Sequence, residues 1–345
     1  MDVLKELHDW AVGFFSLDDV TRIVKSGDYR VLLTFKGFMA VVGPLFPIVL
    51  FLEILVGLIS RKFKALNYKV PFFSYLLNLA IGKFISITAV IFCIGLFEKY
   101  AIIKIGFTWY WFIYGYIVWE LGHFFYHYFG HKVRLFWCLH STHHAPQTMN
   151  LSVSYAHFFL EGAYADVIRT TTCILLGVPP LMLAAIMFID GFWGGFIHIG
   201  EGMVKNSRLG PLENIILTPS HHRVHHGRNP LYMDTNFCNL LPIWDRVFHT
   251  YQPEKQDVPV DYGITRKMIP NSFMDAYFGE FVLLAKDVAR APGIKNKLLY
   301  IVMPPGWSHT GEHKTAYKVR KEFLEKMEHG NGETARNELL VEPQA

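Results

Sequence analysis

His123-Phe124-Phe125-Tyr126-His127 is the first of three histidine clusters in this chain. The second is His140-Ser141-Thr142-His143-His144, and the third is His222-Arg223-Val224-His225-His226. Residues three and four apart share one face of a helix. His123 and His127 stand four apart, as do His140 and His144 with His143 between them, and the third cluster repeats the second. The spacing therefore predicts helical stretches that each aim two or three imidazoles at one point. An imidazole buried without a partner costs free energy. Eight at such regular spacing are hard to explain as packing and easy to explain as ligands of one metal cluster. A structural zinc ion takes four donors, so eight nitrogens suit two metal ions with positions left open. His131 continues the face of His123 and His127 but lacks a second cluster partner, so it stays outside the expected set. His157 and His221 are either neighbours of the ligands or point away. His8, His249, His309, His313 and His329 read as ordinary polar residues.

The sequence around the clusters is apolar. Of 345 residues, 52% are hydrophobic and 18% charged, which suits a membrane protein better than a soluble one. Aromatics gather near the ends of apolar runs, where membrane interfaces favour Trp and Tyr. A net charge of +4 is too small and dispersed to argue for nucleic acid, though it suits an anionic membrane surface. The cysteines Cys93, Cys138, Cys173 and Cys238 form no CxxC pair, which excludes a zinc ribbon or a thioredoxin motif. No cleavable signal sequence is apparent in residues 1–36.

Four apolar features follow along the chain. Gly37 to Ser60 is long enough to span a bilayer, which takes roughly 20 residues, with a kink expected from Pro44 and Pro47. Tyr75 to Phe97 is the second, and Ile105 to Leu121 is the third, which delivers the chain to His123. Ala163 to Ile199 is broken by Gly177-Val178-Pro179-Pro180 into two legs of a hairpin. The Arg61-Lys62-Phe63-Lys64 cluster places the end of the first segment in the cytoplasm. A hairpin returns the chain to the side it left, so all three clusters meet on one face. The expected fold is an all-α integral membrane protein with about four transmembrane helices, hairpin included, and a cytoplasmic histidine-rich helical cap. Its setting is a multi-pass position in a bacterial inner membrane or the endoplasmic reticulum. His198, at the end of the return leg, becomes a ninth candidate ligand. Asp234, Asn236 and Asp245 lie close in sequence to the third cluster, and they are candidates to accept the second N–H of a metal-bound histidine. Asp234-Thr235-Asn236 is equally readable as a turn.

The order HxxxH, HxxHH, HxxHH, with a helical hairpin between the second and third, resembles the fatty acid hydroxylase and sterol desaturase superfamily. The resemblance runs from Trp109 to Tyr251, with an echo at Met303-Pro304-Pro305-Gly306-Trp307. Its most specific part is Leu217 to Asn229, with Asn236, Leu241 and Trp244-Asp245. Within the superfamily the chain looks most like the alkylglycerol monooxygenase branch and its bacterial relatives. The resemblance implies a di-iron centre that activates O2 and attacks an unactivated C–H bond of a lipid. His123, His127, His140, His143, His144, His198, His222, His225 and His226 match its ligand positions. It also implies electrons from outside the chain, delivered by a reductase, cytochrome, ferredoxin or reduced pterin. The expected division is an amphipathic or interfacial segment at 1–36, a membrane-embedded hydroxylase-like domain at 37–307 (core motif region 109–251) and a charged tail at 308–345. The oligomeric state is open. Hydroxylation and desaturation share the ligand set, so the motifs do not choose between them. A membrane metal transporter would place its ligands on broken helices near the bilayer midplane. Here Lys132, Arg134, Arg223 and Arg228 stand beside the clusters and argue for an aqueous edge. A non-catalytic lipid-binding member would show missing histidines, and none is missing.

Overall fold

The computed structural model describes residues 5–6, 8–9, 12–13, 17–28, 30–31, 34–204, 209–269 and 272–328. Parts of the expected N-terminal segment and residues 329–345 of the expected tail, His329 included, lie outside the described residues. Among the described residues every regular element is helical, and strand pairing is limited to one isolated bridge between Gly227 and Tyr262. Contacts divide the chain into two units, Met1–Phe63 and Lys64–Ala345.

The first unit holds α1 (Leu17–Ser26), α2 (Phe35–Val42) and α3 (Leu45–Ile59). Asp18 and Asp19 in the first turn of α1 and Lys25 in its last complement the helix dipole. Thr34 caps α2 by accepting a hydrogen bond from the Gly37 N–H at 3.2 Å. The expected first apolar segment is two helices rather than one kinked one. The chain turns at Gly43-Pro44, where proline cannot continue the hydrogen-bond ladder of α2.

The second unit opens with α4 (Ala65–Tyr100), which is long and apolar enough to cross a membrane. At 1.5 Å per residue it reaches about 50 Å. Only 11% of its most apolar window is buried, and Phe84, Ile87, Ile91 and Phe92 point outward. An apolar helix with an exposed apolar face suits lipid rather than water. It is the one such helix among the described residues; α3 and the second hairpin leg are apolar but shorter. A π turn at Asn78–Gly82 interrupts α4. There the Asn78 amide donates to the His157 carbonyl at 2.9 Å and ties the helix to the histidine region.

α5 (Trp109–Lys132) carries the chain from an aromatic end to the first cluster, and α6 (Arg134–His144) turns back with the second. The expected hairpin is present as α7 (Glu161–Leu175) and α8 (Pro180–Phe196). Proline opens α8, where its missing N–H costs nothing. Gly177 makes the turn at φ +84, and a Cβ there would meet the Ile103 carbonyl oxygen at 2.3 Å. Tyr116 and Trp119 of α5, Cys173 and Ile174 of α7, and Met182 and Ile186 of α8 form the main core. Short helices α9 (Pro219–His225) and α10 (Ile243–Val247) follow, the first carrying most of the third cluster. α11 (Phe273–Arg290), α12 (Gly293–Val302) and α13 (Ala316–Glu328) complete the unit. α11 packs on α6.

α5 and α7 approach closely at Gly122, where a Cβ would lie 2.9 Å from the Arg169 Cα. Backbone gives way poorly, so Gly122→Ala is expected to cost about 1–3 kcal/mol. Gly95, with open space around its missing Cβ, is the control. Thermal unfolding in neutral detergent should show a lowered midpoint for Gly122→Ala and none for Gly95→Ala; equal midpoints would contradict this packing.

Candidate metal centre

Three histidines stand one turn apart on α5: His123, His127 and His131. The structure gathers His127 and His131 with His140, His144 and His225 into a group of five. His143, His198, His222 and His226 form a group of four. Within each group the ring nitrogens lie within 4.8 Å of one another, and every member is buried. The i, i+3, i+4 spacing explains the split. On α6, His140 and His144 face one group and His143 faces the other. On α9, His225 joins the first group while His222, with His226 just beyond the helix, joins the second.

Eight of the nine candidate residues are thus brought together, and His131, set aside in the sequence reading, joins them. His123 does not. It lies one turn nearer the apolar core, where its Nδ1 stands 3.5 Å from Asp190 Oδ2 of α8. The ladder His123, His127, His131 contains two i, i+4 pairs, and spacing alone has no means of choosing between them. The level at which α6 and α9 pack makes the choice.

The outer nitrogens are held in place. His127 Nδ1 lies 2.9 Å from the Phe237 carbonyl, His225 Nδ1 2.8 Å from that of Thr235, and His198 Nδ1 2.6 Å from that of Gly194. A carbonyl only accepts, so each of these Nδ1 atoms carries the proton and each Nε2 keeps its lone pair. His140 Nδ1 donates to Glu161 Oε1 at 2.6 Å. His131 Nδ1 lies 3.3 Å from Asp234 Oδ1. The inner nitrogens converge. His127 and His140 bring their Nε2 atoms to 3.1 Å, and His198 and His222 bring theirs to 2.8 Å. Both members of the first pair present lone pairs to each other, an arrangement that repels unless a cation lies between them. His131 Nε2 and His225 Nε2 are buried with no hydrogen-bond partner among the described residues. A donor set of neutral imidazoles with fixed outer N–H groups and orphaned inner lone pairs fits bound metal.

Electrostatics agree. Burial first, then the neighbouring imidazoles, pushes His143, His144, His222, His225 and His226 well below the usual histidine range. Burial opposes ionisation of Glu161, but His157 and His140 outweigh it and hold the carboxyl down to about 2. Burial likewise opposes ionisation of Asp234, and His131 with Lys132 lowers it nonetheless.

The three candidate supporting residues have different roles. Asp234 reaches His131 and also pairs with Lys132. Asn236 hydrogen-bonds backbone groups rather than a ring of the centre. Its amide donates to the carbonyls of His221 at 3.0 Å and Gln252 at 2.7 Å. Asp245 accepts from the Phe237 and Cys238 N–H groups at 2.7 and 2.9 Å, and so fixes the strand of loop whose Phe237 carbonyl orients His127. Asp234 and Asn236 both adopt left-handed backbone, at φ 56 each. The turn reading and the supporting reading therefore coexist in this loop.

Sequence reasoning missed Glu120, Glu161 and Asp190. Glu120 is fully buried and accepts from the N–H groups of Asn239, Leu240 and Leu241 at 3.0, 2.7 and 2.9 Å. Asp190 accepts from the Asn239 amide at 2.7 Å. Glu161 links His140 to His157, which stacks on His143 with ring centres 4.3 Å apart. A signal was available: a carboxylate inside an apolar run, as at Glu120 and Asp190, marks a functional position by default.

This segment of the chain has known counterparts. Residues 112–250, which hold all nine histidines of the two groups, match the fatty acid hydroxylase family. The chain is similar to alkylglycerol monooxygenase from Xenopus tropicalis, 34% identical over 188 residues that cover 54% of this chain and 40% of the relative. The human alkylglycerol monooxygenase is 33% identical over 188 residues, covering 54% of this chain and 40% of its own length. An ornithine lipid hydroxylase of Rhizobium tropici is 27% identical over 154 residues, 45% of each chain. The chain thus spans about 40% of the length of these alkylglycerol monooxygenases. No solved structure matches.

Two outcomes test this geometry. His131→Ala should lower the metal bound per chain, whereas His123→Ala should keep it. Metal content by plasma mass spectrometry decides, and loss from His123→Ala with retention in His131→Ala would reverse the assignment. The second test concerns pH. In metal-free protein the buried imidazoles refuse protons that the unfolded chain accepts below about pH 6.5. Stability should therefore be level above that value and fall as pH drops below it. The thermal midpoint of chelator-treated protein, followed from about pH 8 to 5, should show this slope; a flat profile would mean the imidazoles are not held neutral.

Proposed function

We propose that this chain is a membrane di-iron enzyme that uses O2 to oxidise a C–H bond of a lipid, as a hydroxylase or monooxygenase. The observation that carries the reading is the pair of buried histidine groups, five and four, whose inner nitrogens converge, with His131 Nε2 and His225 Nε2 left without a partner among the described residues. The match to the fatty acid hydroxylase family supports it, as do relatives named for monooxygenation of alkylglycerol and hydroxylation of a lipid. The first metal would be held by His127, His131, His140, His144 and His225, and the second by His143, His198, His222 and His226. When bound, the pair supplies oxygen activation and C–H oxidation, a task for a metal that changes valence and not for redox-silent zinc.

The chain's own residues do the rest. The carbonyls of Gly194, Thr235 and Phe237 and the carboxylates of Glu161 and Asp234 fix ring orientation. Burial of all nine imidazoles limits the access of bulk water to the centre. Asp190 holds His123 beside the group without adding it to the ligands. The exposed apolar face of α4, with apolar α3 and α8, supports a multi-pass position in a bilayer, and the basic run Arg61-Lys62-Phe63-Lys64 argues for a cytoplasmic side for the histidines. Reducing electrons come from a separate reductase, cytochrome or ferredoxin, or from a reduced pterin. An ether lipid, a sterol or a fatty-acyl lipid would be the substrate.

Purified protein should contain iron in preference to zinc, and lipids from cells expressing it should gain one oxygen in mass. His143→Ala and His225→Ala, one from each group, should each abolish that product while the protein still folds. Retained turnover in both variants would sink the reading; loss of two hydrogens in place of the oxygen gain would make it a desaturase.

A further inference from the structure

A cavity of about 880 Å³ lies against the histidine groups, within the size range of small-molecule sites. It touches His131, His144 and His225 of the first group and His226 of the second, so one occupant can reach both. Its walls come from the ends of α5 and α6, the loops around Arg228 and Gly263, α11 and residues 303–319; no residue of α4, α7 or α8 lines it. The Met303-Pro304-Pro305-Gly306-Trp307 stretch, so far without a role, forms one of these walls. The Met303 carbonyl accepts from the Arg134 N–H at 3.0 Å. The Lys314 N–H donates to the Gly306 carbonyl at 2.8 Å and closes residues 306–314 into a strap. Gly306 is required there: it sits at φ +81, and a Cβ would meet the Lys314 carbonyl oxygen at 2.2 Å.

The cavity has a cationic excess. Lys132, Arg134, Arg228, Arg266 and Lys314 line it against Asp234 and Glu280. Asp234 is taken by Lys132 and His131. Glu280 is shared between Arg134 at 3.2 Å and Arg266 at 2.8 Å. Arg228 pairs at 2.7 Å with Asp261 and Arg266 at 2.9 Å with Asp275, neither of them part of the lining, so the unneutralised charge rests on Lys314. No carboxylate among the described residues pairs with Lys314. The Arg134 Nε is buried and makes no hydrogen bond, and an unmade bond to a buried charged donor is costly. Trp137, Ile264, Leu283 and Trp307 add apolar surface to the wall. Unspent positive charge beside apolar surface matches an amphiphile with a negative end. A free anion would leave the apolar wall bare, and a neutral amphiphile would leave Lys314 without an anion.

We propose that this cavity binds a single-chain lipid with an anionic headgroup, phosphate or carboxylate. Arg134 and Lys314 hold the headgroup, and the apolar part lies against Trp137, Ile264 and Trp307. The inference rests on the proposed oxidation only for the fate of the bound lipid. Binding is measured without O2 or reductant, so the two readings fail separately.

The test is calorimetry on the full, metal-loaded chain in neutral maltoside micelles. Three probes are compared: hexadecyl phosphate, the glycerol ether of the same chain, and inorganic phosphate. Hexadecyl phosphate should bind at least about tenfold tighter than either of the others. Lys314→Gln and Arg134→Gln should each weaken it about fivefold and leave the glycerol ether unchanged. Arg134 also braces Glu280, so a folding defect in that variant would shift the decision to Lys314→Gln, whose exposed side chain supports nothing else. Equal affinity for ether and phosphate amphiphiles overturns the proposal. So does inorganic phosphate binding as tightly as the lipid, or unchanged binding in Lys314→Gln.

Discussion

Nine imidazoles must sit in a dry interior with their Nε2 lone pairs turned toward one another. Like-facing lone pairs repel and buried polar atoms are costly, so the arrangement is favoured by rings held from behind and a cation welcome in front. Three backbone carbonyls and two carboxylates hold five of the rings by Nδ1. This requirement explains features that would otherwise look unrelated: the left-handed residues at Asp234 and Asn236, the buried acid in the middle of α5, and the Asn78 amide that ties the longest apolar helix to the His157 carbonyl.

The loop from Asp234 to Leu241 shows how far the requirement reaches. It delivers three of the five outer contacts, from Asp234, Thr235 and Phe237. A loop alone would be too mobile to orient ligands, because a site holds its geometry only when its supports are themselves held. Here Asp245 binds one part of the loop through two backbone N–H groups, and Glu120 binds the next through three. Asp190 reaches the loop through Asn239 and reaches α5 through His123. Carboxylates that touch no inner nitrogen thus decide where the inner nitrogens lie. Removing one would leave several buried N–H groups unpaired at once.

The second unit is polar at one end and apolar along its flank. α4 turns Phe84 and Ile91 outward, while the cavity beside His131 and His226 is walled by basic residues, tryptophans and the strap at 306–314. An amphiphile has the same two-part character. The chemistry proposed for the histidine centre and the charge of its neighbouring cavity would suit one kind of molecule.

Helical periodicity was readable from residues alone. Apolar runs, the Gly177 to Pro180 break and the i, i+3, i+4 histidines specify helices and their faces, since these depend on neighbours within one turn. The same local rule divides His143 from His140 and His144. Tertiary structure decided what depends on the relative height of helices. It took His131 and excluded His123, although the two are equivalent by spacing about His127. It gave Glu120, Glu161 and Asp190 partners more than 20 residues away. No local pattern encodes such contacts. They are settled by which level of α5 meets α6, α9 and the loop after Asp234, and packing of the whole unit sets that level.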